Sequence, residues 1–197
     1  MQTIYSLLRR SGFAAITVAS ACLISAGCTT TPPSQTESPR VDRHEINSNV
    51  DAALSKLYDT VPSSREMARH AKGILVFPTV FQAGLVVGGE YGKGSLRVGN
   101  VTEEYYRLTA GSVGWQIGAQ SKAVVLLFMT EESLNRFRHG DGWDVGADAT
   151  VALATIGANG DVDSNTMHKP VVGFVVTNAG LMAGATLQGT KISKIEH

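Results

Sequence analysis

The sequence predicts an α+β fold in which a glycine-rich, strongly curved antiparallel β-sheet or partly closed barrel follows two N-terminal helices. Three observations support this prediction. From Gly73 onward, short runs of β-branched and apolar residues alternate with glycines, a pattern typical of successive strands. Several glycines stand inside these runs, where they indicate sharp strand curvature or close approach of two backbones. Ahead of Gly73, apolar residues recur at helical spacing.

The first helix is predicted over about 48–59. Val50, Leu54 and Leu57 recur at the spacing of one helical face, and polar residues that can cap a helix stand just before them. Pro62 then separates this helix from the next. The chain from the start of the first helix to the C terminus, 48–197, is interpreted as one domain.

Two further helices carry capping signals. The second helix opens with Ser63 and Glu66 at the spacing of a capping box. A third helix is inserted between strands at about 131–138, where Thr130 can cap the first turn. Acidic residues open this third helix and basic residues close it, which is the arrangement that a helix dipole favours.

The remaining segments are predicted to be strands. The first, at 73–77, is expected to stop at Pro78, because proline cannot donate to a central ladder. The glycine-rich residues 92–94 are expected to form a hairpin turn between two strand-like runs. Further strand-like runs are 105–110, 111–120, 123–129, 143–156, 170–178 and a last glycine-rich run to Ile195. A polar loop is predicted at 159–169, between the runs 143–156 and 170–178.

The front of the chain has the features of an export signal. Two arginines precede a short apolar run, and small residues lead to Cys28, so 1–27 is interpreted as a lipoprotein signal peptide. This arrangement resembles a bacterial lipobox, which implies acylation of Cys28, for example with palmitate. Residues 28–47 are then a flexible tether rich in polar residues and proline. Thr29 follows this cysteine, and by resemblance to the sorting rule of Gram-negative lipoproteins a residue other than aspartate there favours the outer membrane. The domain is then expected to face the periplasm or the surface.

Composition excludes several classes of function. The 17 basic and 17 acidic residues balance, which argues against nucleic-acid binding. Cys22 and Cys28 are the only cysteines, and both lie in the proposed signal segment. A disulfide framework, a cysteine-ligated zinc site and a cysteine nucleophile are therefore excluded for the domain. No cofactor is expected.

Motifs that resemble catalytic or metal sites are incomplete, so the protein is expected not to be an enzyme. The residues 88–94 lack the spacing and the hydroxyl of a phosphate-binding loop. Ser112 approximates a nucleophile elbow but leads into strand-like sequence instead of a helix. Asn159, Asp161 and Asp163 alternate like calcium ligands, yet the final glutamate of such a loop is absent. No catalytic residue and no metal ligand is predicted.

Several short motifs occur together in order and resemble the SYLF domain family, which includes the yeast actin-binding regulator of endocytosis. The similarity extends from about residue 48 to the C terminus. The motifs that carry it are 71–74 leading to Phe77 and Pro78, 88–94, 111–114 with 116–120, 127–130 and 146–149. Bacterial members of the family are similar lipoproteins.

The resemblance implies non-enzymatic lipid binding, with phosphoinositides the favoured ligands of eukaryotic members. Membrane lipids are therefore the expected partners. Actin binding is not expected in a bacterial envelope, and the physiological lipid stays open. The alternative is a structural or protein-interaction role in envelope maintenance without specific lipid binding.

A lipid headgroup site needs cations for the phosphate, preferably near turns or strand ends that have free backbone donors. Five basic residues in the matched region meet this description. Each is also open to the simpler interpretation of a solvated surface cation, because no long basic run is present. These candidate lipid-binding residues are Lys72, Lys93, Arg97, Arg107 and Lys122.

Overall fold

The computed structural model of the chain describes residues 39–84, 87–113, 120–140, 142–148, 150–155, 162–182 and 185–196. Within them the fold is α+β, with four helices and one nine-stranded sheet. The helices are α1 (Pro39–Thr60), α2 (Ser63–His70), α3 (Glu131–His139) and α4 (Ser164–Met167).

The sheet curls strongly into a half-barrel, which confirms the predicted fold class. Its order is β5-β9-β3-β2-β1-β4-β7-β6, with β8 paired to β7. All pairings are antiparallel except that of β6 with β7. The strands are β1 (Gly73–Gly84), β2 (Val87–Val98), β3 (Val101–Val113), β4 (Gln120–Phe128), β5 (Trp143–Asp144), β6 (Ala152–Leu153), β7 (Val171–Thr177), β8 (Gly180–Leu181) and β9 (Thr190–Lys194).

The centre of the sheet is buried on both faces, which explains the continuous apolar runs of β4 and β7. On one face, α1 and α2 pack against alternate residues such as Val125 and Leu127; we call this the α1-side core. On the other face, α3 packs against Leu126 and Phe128, in what we call the α3-side core. Residues 123–128 are therefore all buried, whichever way their side chains point.

Four aromatic rings join α3 to the sheet. Phe137 of α3 lies 4.8 Å from Tyr106, 5.0 Å from Phe128 and 5.3 Å from Trp143, measured between ring centroids. Burial raises the pKa of Tyr106 to about 12. The cluster ties the short β5 to the centre of the sheet.

Pro78 does not end β1, as the sequence suggested, but sits in an irregularity within it. The register of β1 shifts between Val76 and Thr79 against β2, and between Phe77 and Val80 against β4. Pro78 has no amide hydrogen, so an interruption of the ladder is the position that tolerates it. Because a bulge increases local bend and twist, this interruption contributes to the curl of the sheet.

The predicted hairpin turn at 92–94 is wrong, because these residues lie inside β2. Gly92 and Gly94 allow β2 to pack closely against the irregular part of β1, because they have no side chain. A Cβ atom at Gly92 would lie 2.9 Å from the carbonyl oxygen of Thr79. One at Gly94 would lie 2.8 Å from a ring carbon of Phe77, and nearer still to the main chain of Val76.

The turn between β2 and β3 is formed instead by Gly99 and Asn100. Both residues have positive φ, 56° and 68°. Val98 and Val101 pair on either side, so the loop has two residues. Positive φ at both central positions is characteristic of a type I′ turn, and glycine and asparagine adopt it at low cost.

The first two helices differ from their predictions. The first begins at Pro39, about nine residues earlier than expected, so part of the predicted tether is helical and buries Ile46. Proline suits the first turn of a helix, where its missing amide hydrogen would have no partner. The predicted capping box of α2 does not form: Ser63 makes no cap hydrogen bond, and Glu66 pairs with Arg69 and His70.

The third helix and several strand predictions are closer to the structure. Thr130 caps α3 as predicted, accepting a hydrogen bond from the amide of Ser133 at 3.2 Å. The run 143–156 contains two separate two-residue strands, and 164–167 of the predicted polar loop is helical. The part of the run 111–120 between β3 and β4 lies outside the described residues.

The segment Thr36–His197 is a compact unit in its own right. Both cores are built from side chains between Ile46 and Ile192. A fragment with these bounds therefore contains every buried apolar contact described above, and we expect it to fold on its own.

We predict that Gly94→Ala destabilises this fragment by roughly 1–3 kcal/mol, because the new methyl group forces β1 and β2 apart. Gly111→Ala in β3 is the control, since a Cβ there meets nothing within 4 Å. We expect it to change stability by no more than about 0.5–1 kcal/mol. Urea unfolding measures both, and equal stability of the two variants would contradict the close-packing role of Gly94.

Candidate functional site

Two of the five predicted cations lie side by side. Lys93 of β2 and Arg107 of β3 are direct cross-strand partners, so their side chains share a face of the sheet. The Lys93 ammonium donates to the carboxylate of Asp42 in α1 at 3.0 Å. Arg107 is exposed. This pair therefore borders the face that α1 covers.

Arg97 joins β2 to α1. Its guanidinium donates to the carboxylate of Asp51 and, at 3.2 Å, to the carbonyl oxygen of Asn47, and its side chain is 15% exposed. The hydrogen bond from Arg97 holds the pKa of the Asp51 carboxyl below its usual range. Lys72, by contrast, is exposed and lies just before β1.

Lys122 lies on the opposite face. It is in register with Val80, whose side chain belongs to the α3-side core. Its ammonium donates to the carboxylate of Glu90 at 2.8 Å, and the two side chains are only 11% and 10% exposed. The bond crosses above β1, which separates β4 from β2. The five cations thus do not form one cluster, and the assignment of any of them to lipid stays a prediction.

Two exposed aromatic residues on the α1 side are absent from the sequence-based candidates. Phe81 of β1 and Tyr91 of β2 are direct cross-strand partners, and they are 60% and 47% exposed. The shift at Pro78 explains the position of Phe81. In a regular strand Phe81 would share a face with Phe77, but Phe77 and Val80 both enter the α3-side core, which leaves Phe81 on the other face.

Phe81 and Tyr91 line a groove of about 330 Å³ beside the N-terminal half of α1. We call it the aromatic groove. Lys93 and Asp42, which form an ion pair, both line it, and Glu45 contributes a further carboxylate. The groove combines exposed apolar surface with three charged side chains, which are two carboxylates and one ammonium. Its lining residues are Asp42, Glu45, Ile46, Asn49, Pro78, Thr79, Phe81, Tyr91, Gly92 and Lys93.

The described residues offer no cluster of metal-ligating side chains that would replace this groove as the candidate site. Among them, no three His, Cys, Asp or Glu side chains are grouped so as to hold a metal ion. No helix in the same part of the chain has the length and apolar character to span a membrane. Cys28, the side chain of Ser112, and residues 159 and 161 of the calcium-like pattern lie outside the described residues.

Comparison with known proteins gives one family match. The family model described as Ysc84, the Las17-binding protein actin regulator, matches residues 109–196. This segment runs from the later part of β3 through β9. The match confirms the resemblance to the SYLF family there, whereas the aromatic groove precedes it. No curated protein matches the chain.

We predict that Lys122→Met lowers the unfolding free energy of Thr36–His197 by roughly 3 kcal/mol, because it leaves the Glu90 carboxylate buried without its partner. Replacing both residues, as Lys122→Met with Glu90→Gln, should recover most of the loss. Arg136→Met is the matched control, since it breaks an exposed pair with Glu132 and should cost less than about 1 kcal/mol. Equal urea midpoints for the two single variants would contradict a structural role for Lys122.

Proposed function

We propose that this chain is a lipid-binding protein of the bacterial cell envelope. The proposal starts from its match, over residues 109–196, to the SYLF family, whose members bind lipid or actin. The domain binds membrane lipid without catalysing a reaction, and acylated Cys28 holds the chain to the membrane. Phospholipid headgroups, or phosphoinositide-type headgroups where present, are the proposed ligands. The proposed location is the outer membrane, with the domain facing the periplasm or the surface.

The observation that supports lipid binding best is the exposed pair Phe81 and Tyr91. Two large aromatic side chains in adjacent strands form one apolar patch with a polar hydroxyl at its margin. Tyrosine favours the boundary between lipid and water, because its ring is apolar and its hydroxyl forms hydrogen bonds, and Phe81 adds purely apolar surface beside it. Ile46 and Pro78 extend the apolar lining of the groove.

The charges around the groove indicate which kind of membrane contact to expect. Lys93 is paired with Asp42, so the carboxylate of Glu45 leaves one net negative charge among the lining residues. Attraction to anionic lipid is therefore weak, and apolar contact supplies most of the binding free energy. Binding should accordingly change little between low and moderate salt, unlike that of a polybasic segment.

The anchor is tested separately. We expect mass spectrometry of the protein extracted from membranes to find Cys28 at the N terminus with attached fatty acid. Cys28→Ser should abolish this modification, whereas Cys22→Ser, within the removed signal, should leave it unchanged. An exported product with an unmodified Cys28 would disprove the anchor and leave the lipid-binding proposal standing.

The domain is tested without its anchor. We predict that Thr36–His197 floats with vesicles of phosphatidylethanolamine and phosphatidylglycerol. Phe81→Ser with Tyr91→Ser should weaken this binding by roughly tenfold or more, because burying one such side chain contributes about 1.5–3 kcal/mol.

Val101→Ser is the matched control, since Val101 is 68% exposed but stands at the other end of β3 from the groove. It should bind as the unaltered fragment does. Failure of the unaltered fragment to float with any vesicle composition would refute lipid binding and favour the protein-interaction role. Equal flotation of the double variant would refute the aromatic groove as the site.

A further inference from the structure

A second cleft lies at the other end of α1, against α2 and the start of β1. We propose that this cleft binds a small anion that carries a phosphate group. The cleft has a volume of about 400 Å³, and no carboxylate side chain is among the described residues that line it. We call it the arginine cleft, after the residues that characterise it, which are Tyr58, Arg65, Arg69, Ile74, Arg97 and Asn100.

Arg65 is the cation that a ligand can use most directly. Its guanidinium carbon lies 4.9 Å from the centroid of the Tyr58 ring, which it covers. Within the part of the chain that the structure describes, no carboxylate pairs with Arg65. Stacking fixes the plane of the guanidinium and leaves its edge donors available, which is the geometry for bidentate binding of a phosphate.

Arg97 supplies a second, more rigid guanidinium. Its hydrogen bonds to Asp51 and to the carbonyl of Asn47 hold it in place between β2 and α1. Its Nε atom is buried and has no hydrogen-bond partner among the described residues. A buried donor without a partner is costly, so an acceptor that reached it would be stabilised.

Arg69 completes the set from α2. It pairs with Glu66 at 3.1 Å, but both side chains are largely exposed, at 70% and 63%. Exposed pairs of this kind contribute little free energy, so Arg69 can exchange Glu66 for a ligand at small cost. Burial raises the pKa of the Tyr58 hydroxyl by more than the neighbouring Arg65 and Arg97 cations lower it, so the hydroxyl is an uncharged donor beside them.

The charge balance and the size of the cleft define the ligand class. Asp51 and Glu66 compensate Arg97 and Arg69 from outside the lining, which leaves Arg65 as the net charge. A phosphomonoester supplies one to two negative charges and several acceptor oxygens for the three guanidinium groups. The volume is within the range of small-molecule sites.

The arginine cleft is distinct from the aromatic groove, and this inference does not rest on the proposed function. Ile74 and Phe81, which line the two sites, are seven positions apart in β1, a separation of about 20 Å along the strand. A membrane that touches Phe81 need not touch the cleft. The phosphate group can therefore belong to a soluble molecule or to a lipid headgroup, and the experiment separates these sources.

The test uses two probes with the Thr36–His197 fragment. Titration with glycerol 3-phosphate, followed by NMR, reports a soluble phosphomonoester. Flotation with phosphatidylcholine vesicles, with and without phosphatidic acid, reports a lipid phosphomonoester. We expect binding to at least one probe, and a loss of tenfold or more in Arg65→Ala. Arg136→Ala, which removes an exposed arginine from α3, is the matched control and should bind as the unaltered fragment does.

The outcomes are distinct. Loss of glycerol 3-phosphate binding in Arg65→Ala supports a soluble ligand. If Arg65→Ala instead loses only the additional flotation that phosphatidic acid produces, the ligand is a lipid headgroup. Urea unfolding should show Arg65→Ala to be folded, because the side chain is exposed. Arg69→Ala provides a second variant with the same expected direction. No binding of either probe, or equal binding by Arg65→Ala and Arg136→Ala, would overturn the inference.

Discussion

The packing of α1 across β1 and β2 is the interaction on which both candidate sites depend. Val50 and Leu57 of α1 are completely buried in the α1-side core, so the helix is fixed along its length. Polar contacts reinforce this position: the Asn47 amide donates to the Tyr105 hydroxyl, and the Thr102 hydroxyl donates to the Asn47 side-chain oxygen. This position of α1 leaves a cleft beside each half of the helix. The aromatic groove lies beside its N-terminal half and the arginine cleft beside its C-terminal half.

The irregularity at Pro78 links the curvature of the sheet to the exposure of the aromatic pair. Gly92 and Gly94 let β2 approach this part of β1 more closely than any residue with a side chain would allow. The same shift changes which face later residues of β1 occupy, so that Phe81 leaves the α3-side core and lies beside Tyr91. A structural requirement of the sheet thereby presents an apolar surface to solvent, and contiguous surfaces of this kind commonly mark interaction sites.

Local patterns in the sequence were sufficient for the fold class and for α3, whose cap and charge order lie within ten residues of one another. They were insufficient where the determining contact was distant. Glycine at a turn and glycine at a close backbone approach have the same appearance in sequence, so the pattern predicts a hairpin at 92–94, whereas the turn forms at Gly99 and Asn100. The candidate cations were identified without their partners, because Asp42 is 51 positions from Lys93 and Glu90 is 32 from Lys122. The aromatic pair depends on a register shift that no local pattern revealed.

The central claim is that the aromatic groove enters the lipid interface while the opposite end of the sheet stays in water. The Thr36–His197 fragment has no cysteine, so a single introduced cysteine can carry an environment-sensitive fluorophore. Ser121 is exposed and is the cross-strand partner of Phe81, whereas Val101 is at the far end of β3. With vesicles of phosphatidylethanolamine and phosphatidylglycerol, which offer the arginine cleft no phosphomonoester, we predict a blue-shifted and brighter fluorophore at Ser121→Cys and an unchanged one at Val101→Cys. An unchanged spectrum at Ser121→Cys, or an equal shift at both positions, would contradict the central claim.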